Sequence, residues 1–273
     1  MKKYLINLCF LFLTLALNAS KVDTIQIYSA SMKKYIKACV IVPDGYTKSS
    51  EAYPVLYLLH GYSGNYKSWV NDFPITKQYS DQYKMIIVSP DGGFSSWYFD
   101  SPIDTSYRYE TFVSKELIEQ IDKDYNTVKS PSGRAISGLS MGGHGALYLA
   151  FRHPDIFGAA GSMSGGVDIR PFFDKWQIAQ WLGDIKLHPE NWEKNTVVNL
   201  TGLAKNSGLA ITFDCGVDDF FIEVNRQLNK KMLDLKIPHD YTERPGHHDS
   251  VYWDNSIRYH ALFFHRFFST TIK

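Results

Sequence analysis

Residues 137–145 read Ser137-Gly138-Leu139-Ser140-Met141-Gly142-Gly143-His144-Gly145, and within them Gly138-Leu139-Ser140-Met141-Gly142 spells G-x-S-x-G. This pattern marks a sharp strand-to-helix turn that leaves a serine hydroxyl exposed on a strained backbone. Glycines two residues to either side of the serine remove side chains that would collide in so tight a reversal. The pentapeptide alone is weak evidence, because glycine and serine are common. Its flanks supply what the turn requires. Arg134-Ala135-Ile136-Ser137 reads as a short strand, and Gly145-Ala146-Leu147-Tyr148-Leu149-Ala150-Phe151 reads as a helix.

Working outward, further strand-like runs lie at 24–28, 37–42, 55–59, 85–89, 158–163, 209–214 and 240–243. Helical spacing covers 111–125, with apolar residues at 113, 117, 118 and 121, and 223–235, with apolar residues at 224, 228, 232 and 235. A third helix, rich in aromatics, covers 252–268. Later strands alternate with helices, which predicts an α/β domain with a mostly parallel sheet and helices on both faces. The first two strands are joined by a short polar segment and predict an antiparallel start. Residues 168–205 hold no clear strand. Their Trp176, Trp181 and Trp192 predict an excursion over the sheet edge that walls a pocket.

The chain has 273 residues and a formal net charge of +1, so charge gives no case for nucleic acid or an anionic membrane surface as partner. Aromatics make up 15%, which core packing alone accommodates. Met1-Lys2-Lys3, the apolar run from Leu5 to Leu17 and the small residues Asn18-Ala19-Ser20 form the three parts of a secretory signal peptide. The apolar run is short for a membrane span. The expected organisation is a signal over 1–19 and a single catalytic domain over 20–273, exported and free of the membrane after cleavage. Beyond the signal, Cys39 and Cys215 fit either one disulfide or two buried thiols. No Cys/His cluster has zinc spacing, and no metal or organic cofactor is implied.

A serine hydroxyl needs a base to take its proton, and the base is usually a histidine oriented by a carboxylate. After a turn of this kind the chain order is serine, acid, histidine. Asp218 follows the strand tip on the loop Gly216-Val217-Asp218-Asp219 and is the expected acid, while Asp219 is expected to point away and cap the next helix. Gly246-His247-His248-Asp249 offers two adjacent histidines, and spacing alone does not choose between them. Two backbone N–H groups are expected to receive a developing oxyanion, that of Met141 after the serine and that of Tyr62 after the strand ending in His60-Gly61.

Leu58-Leu59-His60-Gly61, Asn65 with Ser68-Trp69, Pro90-Asp91-Gly92-Gly93 with Trp97-Tyr98, the G-x-S-x-G stretch, His153-Pro154-Asp155-Ile156-Phe157, Gly216-Val217-Asp218-Asp219 and Gly246-His247-His248-Asp249 with Trp253 together resemble the esterase D-like group of α/β-hydrolases. That group includes feruloyl and acetylxylan esterases, S-formylglutathione hydrolases and mycolyltransferases. The resemblance runs from about residue 23 to 268. It implies an α/β-hydrolase fold with Ser140 as nucleophile, Asp218 as acid and His248 as base, since the family pattern Gly-x-His-Asp selects the second histidine. It also implies Tyr62 and Met141 as oxyanion donors. Trp97 and Tyr98 are expected at the substrate pocket. With the signal peptide, the implied activity is an exported serine carboxylesterase acting on acetyl or feruloyl groups of an acylated carbohydrate. The alternatives are a small-acyl esterase of the S-formylglutathione hydrolase or tributyrin esterase type, an acyltransferase, and an inactive carbohydrate-binding hydrolase fold.

Overall fold

The computed structural model describes residues 20–48 and 51–272, so the expected signal peptide lies outside the described residues. The strands are β1 (Lys21–Ser29), β2 (Lys34–Val42), β3 (Val55–Leu59), β4 (Ile86–Pro90), β5 (Arg134–Gly138), β6 (Ala159–Met163), β7 (Ala210–Gly216) and β8 (Asp240–Arg244). They form one sheet in the order β1-β2-β4-β3-β5-β6-β7-β8. The β1–β2 and β2–β4 pairs are antiparallel, and every later pair is parallel. The mostly parallel α/β architecture read from the alternation is therefore present, antiparallel start included.

Strands β3, β4, β5 and β6 are buried at every position, as parallel strands covered on both faces must be. Helices of eight or more residues supply the cover. They are α1 (Ile75–Tyr83), α2 (Leu117–Asp124), α3 (Met141–Arg152), α4 (Ile222–Asp234) and α5 (Ser250–Thr271). Side chains alternate across a strand, and β3 shows the consequence. Tyr57 and Leu59 pack in one core with Ile121 of α2, Leu147 of α3 and Leu228 of α4. Leu56 and Leu58 pack in a second core with Tyr79 of α1 and Ile257, Ala261 and Phe264 of α5.

Two local details differ from the periodicity. The helix expected over 111–125 is interrupted by a π-helical turn, Phe112–Glu116, before α2 begins. The segment after β6 is a run of short helices, among them Ile178–Leu182, Pro189–Lys194 and Val197–Leu200. Cys39 and Cys215 are both free and buried. They sit on β2 and β7, which four intervening strands separate at about 4.8 Å each, far beyond disulfide reach.

Candidate active site

Ser140 stands between β5 and α3 with φ 55° and ψ −117°, a conformation that costs energy in any residue but glycine. The turn works because its neighbours have no side chains. A Cβ on Gly142 would fall against the Leu59 carbonyl, and one on Gly138 would lie 2.5 Å from the Gly142 backbone. The Ser140 N–H donates to the Met163 carbonyl at 2.9 Å, and the Gly142 N–H to the Leu139 carbonyl at 2.7 Å. The strained serine is thus fixed by its own turn and by β6.

His248 Nε2 lies 2.9 Å from Ser140 Oγ, and His248 Nδ1 lies 2.8 Å from Asp219 Oδ2. An ionised carboxylate only accepts, so the proton sits on Nδ1 and the Nε2 lone pair faces the serine hydroxyl. That is the tautomer a general base needs. The other oxygen of Asp219 accepts the Phe221 N–H at 2.8 Å, which holds the carboxylate at a fixed angle. The Asp219 side chain is fully buried.

The structure corrects the acid read from the sequence. Asp218 is exposed and its side chain does not reach the imidazole; Asp219 does. The reason is a tight turn closed by the Asp219 N–H donating to the Gly216 carbonyl at 3.1 Å. Position 218 lies at its outer corner, and position 219 faces inward. Asp218 contributes through its backbone, its N–H donating to the Gly246 carbonyl at 3.1 Å. A Cβ on Gly216 would strike that same carbonyl, so glycine is what lets the acid loop and the histidine loop touch. Of the two histidines, His247 is exposed and His248 enters the site.

A second correction concerns Trp97 and Tyr98, which do not line the cleft. Both have left-handed backbones, φ 51° and 62°, which turn their rings inward. They are 1% and 0% exposed. Tyr98 donates its hydroxyl to the His60 carbonyl at 3.0 Å, and the Trp97 indole N–H reaches the Trp176 carbonyl at 3.4 Å.

Ser140 and His248 open into a cleft of about 770 Å³. Tyr62, Trp176, Phe220 and Trp253 bring aromatic faces to it, while Asn65, Ser68 and Asp72 bring polar groups. Phe220 leans on the His248 ring with centroids 4.2 Å apart, and Trp253 meets it edge-on at 4.9 Å. Trp176 stacks with Phe220 at 5.6 Å. Of the three tryptophans expected at the excursion, only Trp176 lines the cleft. Trp181 stacks on Tyr107, and Trp192 is buried. Phe220 was legible only as the neighbour of an acidic pair, because nothing in a sequence says which side of a turn an aromatic takes.

Tyr62 lines the cleft with Ser140, and Met141 is the first residue of α3, whose N–H has no acceptor within its own helix. Among the described residues, neither N–H donates to another protein group. The start of α3 adds the positive end of a helix dipole beside Ser140. No group of three or more His, Cys, Asp or Glu is placed to hold a metal, and no helix is long and apolar enough to cross a membrane, among the described residues.

A family model described as "Putative esterase" matches residues 29–263. An esterase of Mycobacterium tuberculosis is 29% identical over 237 residues, covering 77% of this chain and 51% of that protein. The chain therefore spans about half the length of that relative. An acetyl esterase of Caldicellulosiruptor saccharolyticus is 29% identical over 252 residues, covering 85% of this chain and 94% of that protein. A solved ferulic acid esterase superposes with a TM-score of 0.77 at 30% identity, covering 91% of this chain and 99% of its own.

Proposed function

The chain belongs to this esterase family, and we propose that it is an exported serine carboxylesterase that removes acetyl or feruloyl groups from an acylated carbohydrate. The observation that carries the reading is the continuous hydrogen-bonded chain from Asp219 through His248 to Ser140 at the floor of an open cleft.

In this reading Ser140 Oγ attacks the ester carbonyl as its proton passes to His248 Nε2. Asp219 stabilises the imidazolium that forms. The carbonyl oxygen becomes an anion held by the Met141 and Tyr62 N–H groups. Collapse breaks the bond to the alcohol, which leaves with the proton from His248, and the acyl group stays on Ser140. Water then attacks the acyl-enzyme, giving its proton to His248. The second collapse returns that proton to Ser140 and frees the acid.

Two features support the substrate class. Trp176, Phe220 and Tyr62 offer flat apolar faces suited to an acyl chain or ring, and Asn65, Ser68 and Asp72 offer hydrogen-bonding groups suited to sugar hydroxyls. Among the relatives, one is an acetyl esterase and one a ferulic acid esterase. Export is supported by the N-terminal sequence pattern. Hydrolysis rates on acetylated xylan, a feruloylated sugar, tributyrin and S-formylglutathione test the reading. It expects one of the carbohydrate esters to be turned over fastest. Faster turnover of tributyrin or S-formylglutathione would overturn the carbohydrate assignment. Acylated sugar forming in preference to free acid would overturn hydrolysis in favour of transfer. Fractionation of cells expressing the full chain tests export, and retention of an uncleaved protein in the cytoplasm would contradict it.

A further inference from the structure

His60 ends β3's run into the loop that carries Tyr62, and its side chain is fully buried away from the cleft. Its Nε2 accepts the Gly92 N–H at 2.8 Å, so its single ring proton must sit on Nδ1. Nδ1 lies 2.8 Å from the Gly61 carbonyl and donates to it. The Gly64 N–H donates to the same oxygen at 3.1 Å. The Gly61 carbonyl belongs to the same planar peptide as the Tyr62 N–H. In a trans peptide the two point in opposite directions. Two donors gripping the carbonyl therefore aim the Tyr62 N–H the other way.

Tyr98 holds this arrangement from behind. Its hydroxyl donates to the His60 carbonyl at 3.0 Å. Its ring fills the space that side chains on Gly92 and Gly145 would need, which wedges it between the Gly92 loop and α3. Ser63, with φ 63°, donates its N–H to the Phe94 carbonyl at 2.8 Å and closes the far side of the loop. Burial pushes the His60 pKa down, which keeps the imidazole neutral and the Nε2 acceptor available to Gly92.

We propose that His60 is a positioning residue whose locked tautomer orients the Gly61–Tyr62 peptide as the second oxyanion donor, with Tyr98 as its support. This inference rests on the serine esterase reading of the same site. It explains why a histidine and a tyrosine that never meet substrate are buried behind the loop beside the nucleophile. A peptide free to flip would present a carbonyl to the developing anion in place of an N–H.

The test compares wild type, His60→Ala and Tyr98→Phe in the full-length protein, using a chromogenic acetate ester and phenylboronic acid. The boronic acid forms a tetrahedral anionic adduct with the serine oxygen, so its affinity reports the oxyanion site directly. We expect His60→Ala to lower kcat by about 10- to 100-fold with KM changed less than about twofold, and to weaken boronate inhibition in parallel. Tyr98→Phe removes one hydroxyl and should lower both by about three- to tenfold, which decides the matter if His60→Ala does not fold. An active wild type whose folded variants keep kcat and boronate affinity within twofold, or lose KM alone, would overturn the positioning role. A wild type that neither hydrolyses the ester nor binds the boronate would remove the esterase reading and this inference together.

Discussion

Two serine–histidine–aspartate groupings lie side by side in this molecule, their serines three residues apart, one in β5 and one on the turn that follows it. In the first, Ser140 Oγ is 2.9 Å from His248 Nε2, and His248 Nδ1 is 2.8 Å from Asp219. In the second, Ser137 Oγ is 3.1 Å from His260 Nδ1, and His260 Nε2 is 3.3 Å from Asp214. The residue types match, and the surroundings do not. Ser137 and His260 are 0% and 1% exposed, so no ester can reach them. Ser137 sits in regular strand, whereas Ser140 stands on the strained elbow. The imidazole is reversed, and His260 Nε2 stands 3.3 Å from Asp214 without a formed hydrogen bond, while Asp214 accepts from Arg244, Ser256 and Tyr252. In the proposed reading Ser140 serves as nucleophile because it has the elbow, the cleft and a carboxylate bonded to its histidine, and not because of the three residue types alone.

The buried chain has work of another kind. Asp214 lies two residues before the end of β7 and draws in Arg244 from β8 and Tyr252, Ser256 and His260 from α5. The acid loop leaves β7, and the histidine loop joins β8 to α5. Burial works against the Asp214 charge, yet His260, Ser256 and Arg244 together outweigh it and hold the pKa below the ordinary carboxylate value.

The comparison breaks first at the serines. Ser140→Ala should lower kcat by at least about 10⁴-fold, while Ser137→Ala should stay within about threefold of wild type. Comparable losses in a chromogenic ester assay would mean the two chains are not functionally distinct. The acids come next. Asp219→Asn should cost about 10³- to 10⁴-fold in kcat by favouring the wrong histidine tautomer, and Asp218→Asn should change it less than about fivefold. The reverse ranking would restore the acid read from the sequence.

The strands of the mostly parallel sheet, the elbow and the His248 loop are legible because each has a local signature: apolar runs, paired glycines, a motif with a fixed histidine. The choice between Asp218 and Asp219 is not, because it depends on where a β-turn closes, and adjacent residues on a turn point in opposite directions. Trp97 and Tyr98 were read as pocket residues for a similar reason. Their side chains are turned inward by two consecutive left-handed residues, and no pattern marks a left-handed tryptophan. The buried Ser137–His260–Asp214 chain was invisible, since its members are far apart in sequence and its histidine looked like one more residue of an aromatic helix.

Asp214→Asn should destabilise the protein by about 2–4 kcal/mol, because Arg244 is left partly buried without its partner, and urea unfolding measures this. The pH dependence has a definite sign. The folded pKa of Asp214 is lowered, so its stabilisation is full above the unfolded value of 3.8 and fades as pH falls through the folded value. The stability gap between wild type and Asp214→Asn should therefore narrow below about pH 4. A gap that widens there would contradict the network. Phe220→Ala removes one aromatic wall of the cleft, beside His248, and should have the smallest effect. It should raise KM for a feruloyl ester by about three- to tenfold and leave an acetyl ester within about twofold. Equal changes for both esters would take Phe220 out of acyl recognition.

Fluorophosphonate labelling of wild type, Ser140→Ala and Ser137→Ala tests the central claim most directly, since the probe reacts only with an activated serine. The account predicts that wild type and Ser137→Ala label at similar rates and that Ser140→Ala does not label. An unlabelled wild type, or a Ser140→Ala protein that still labels, would contradict it.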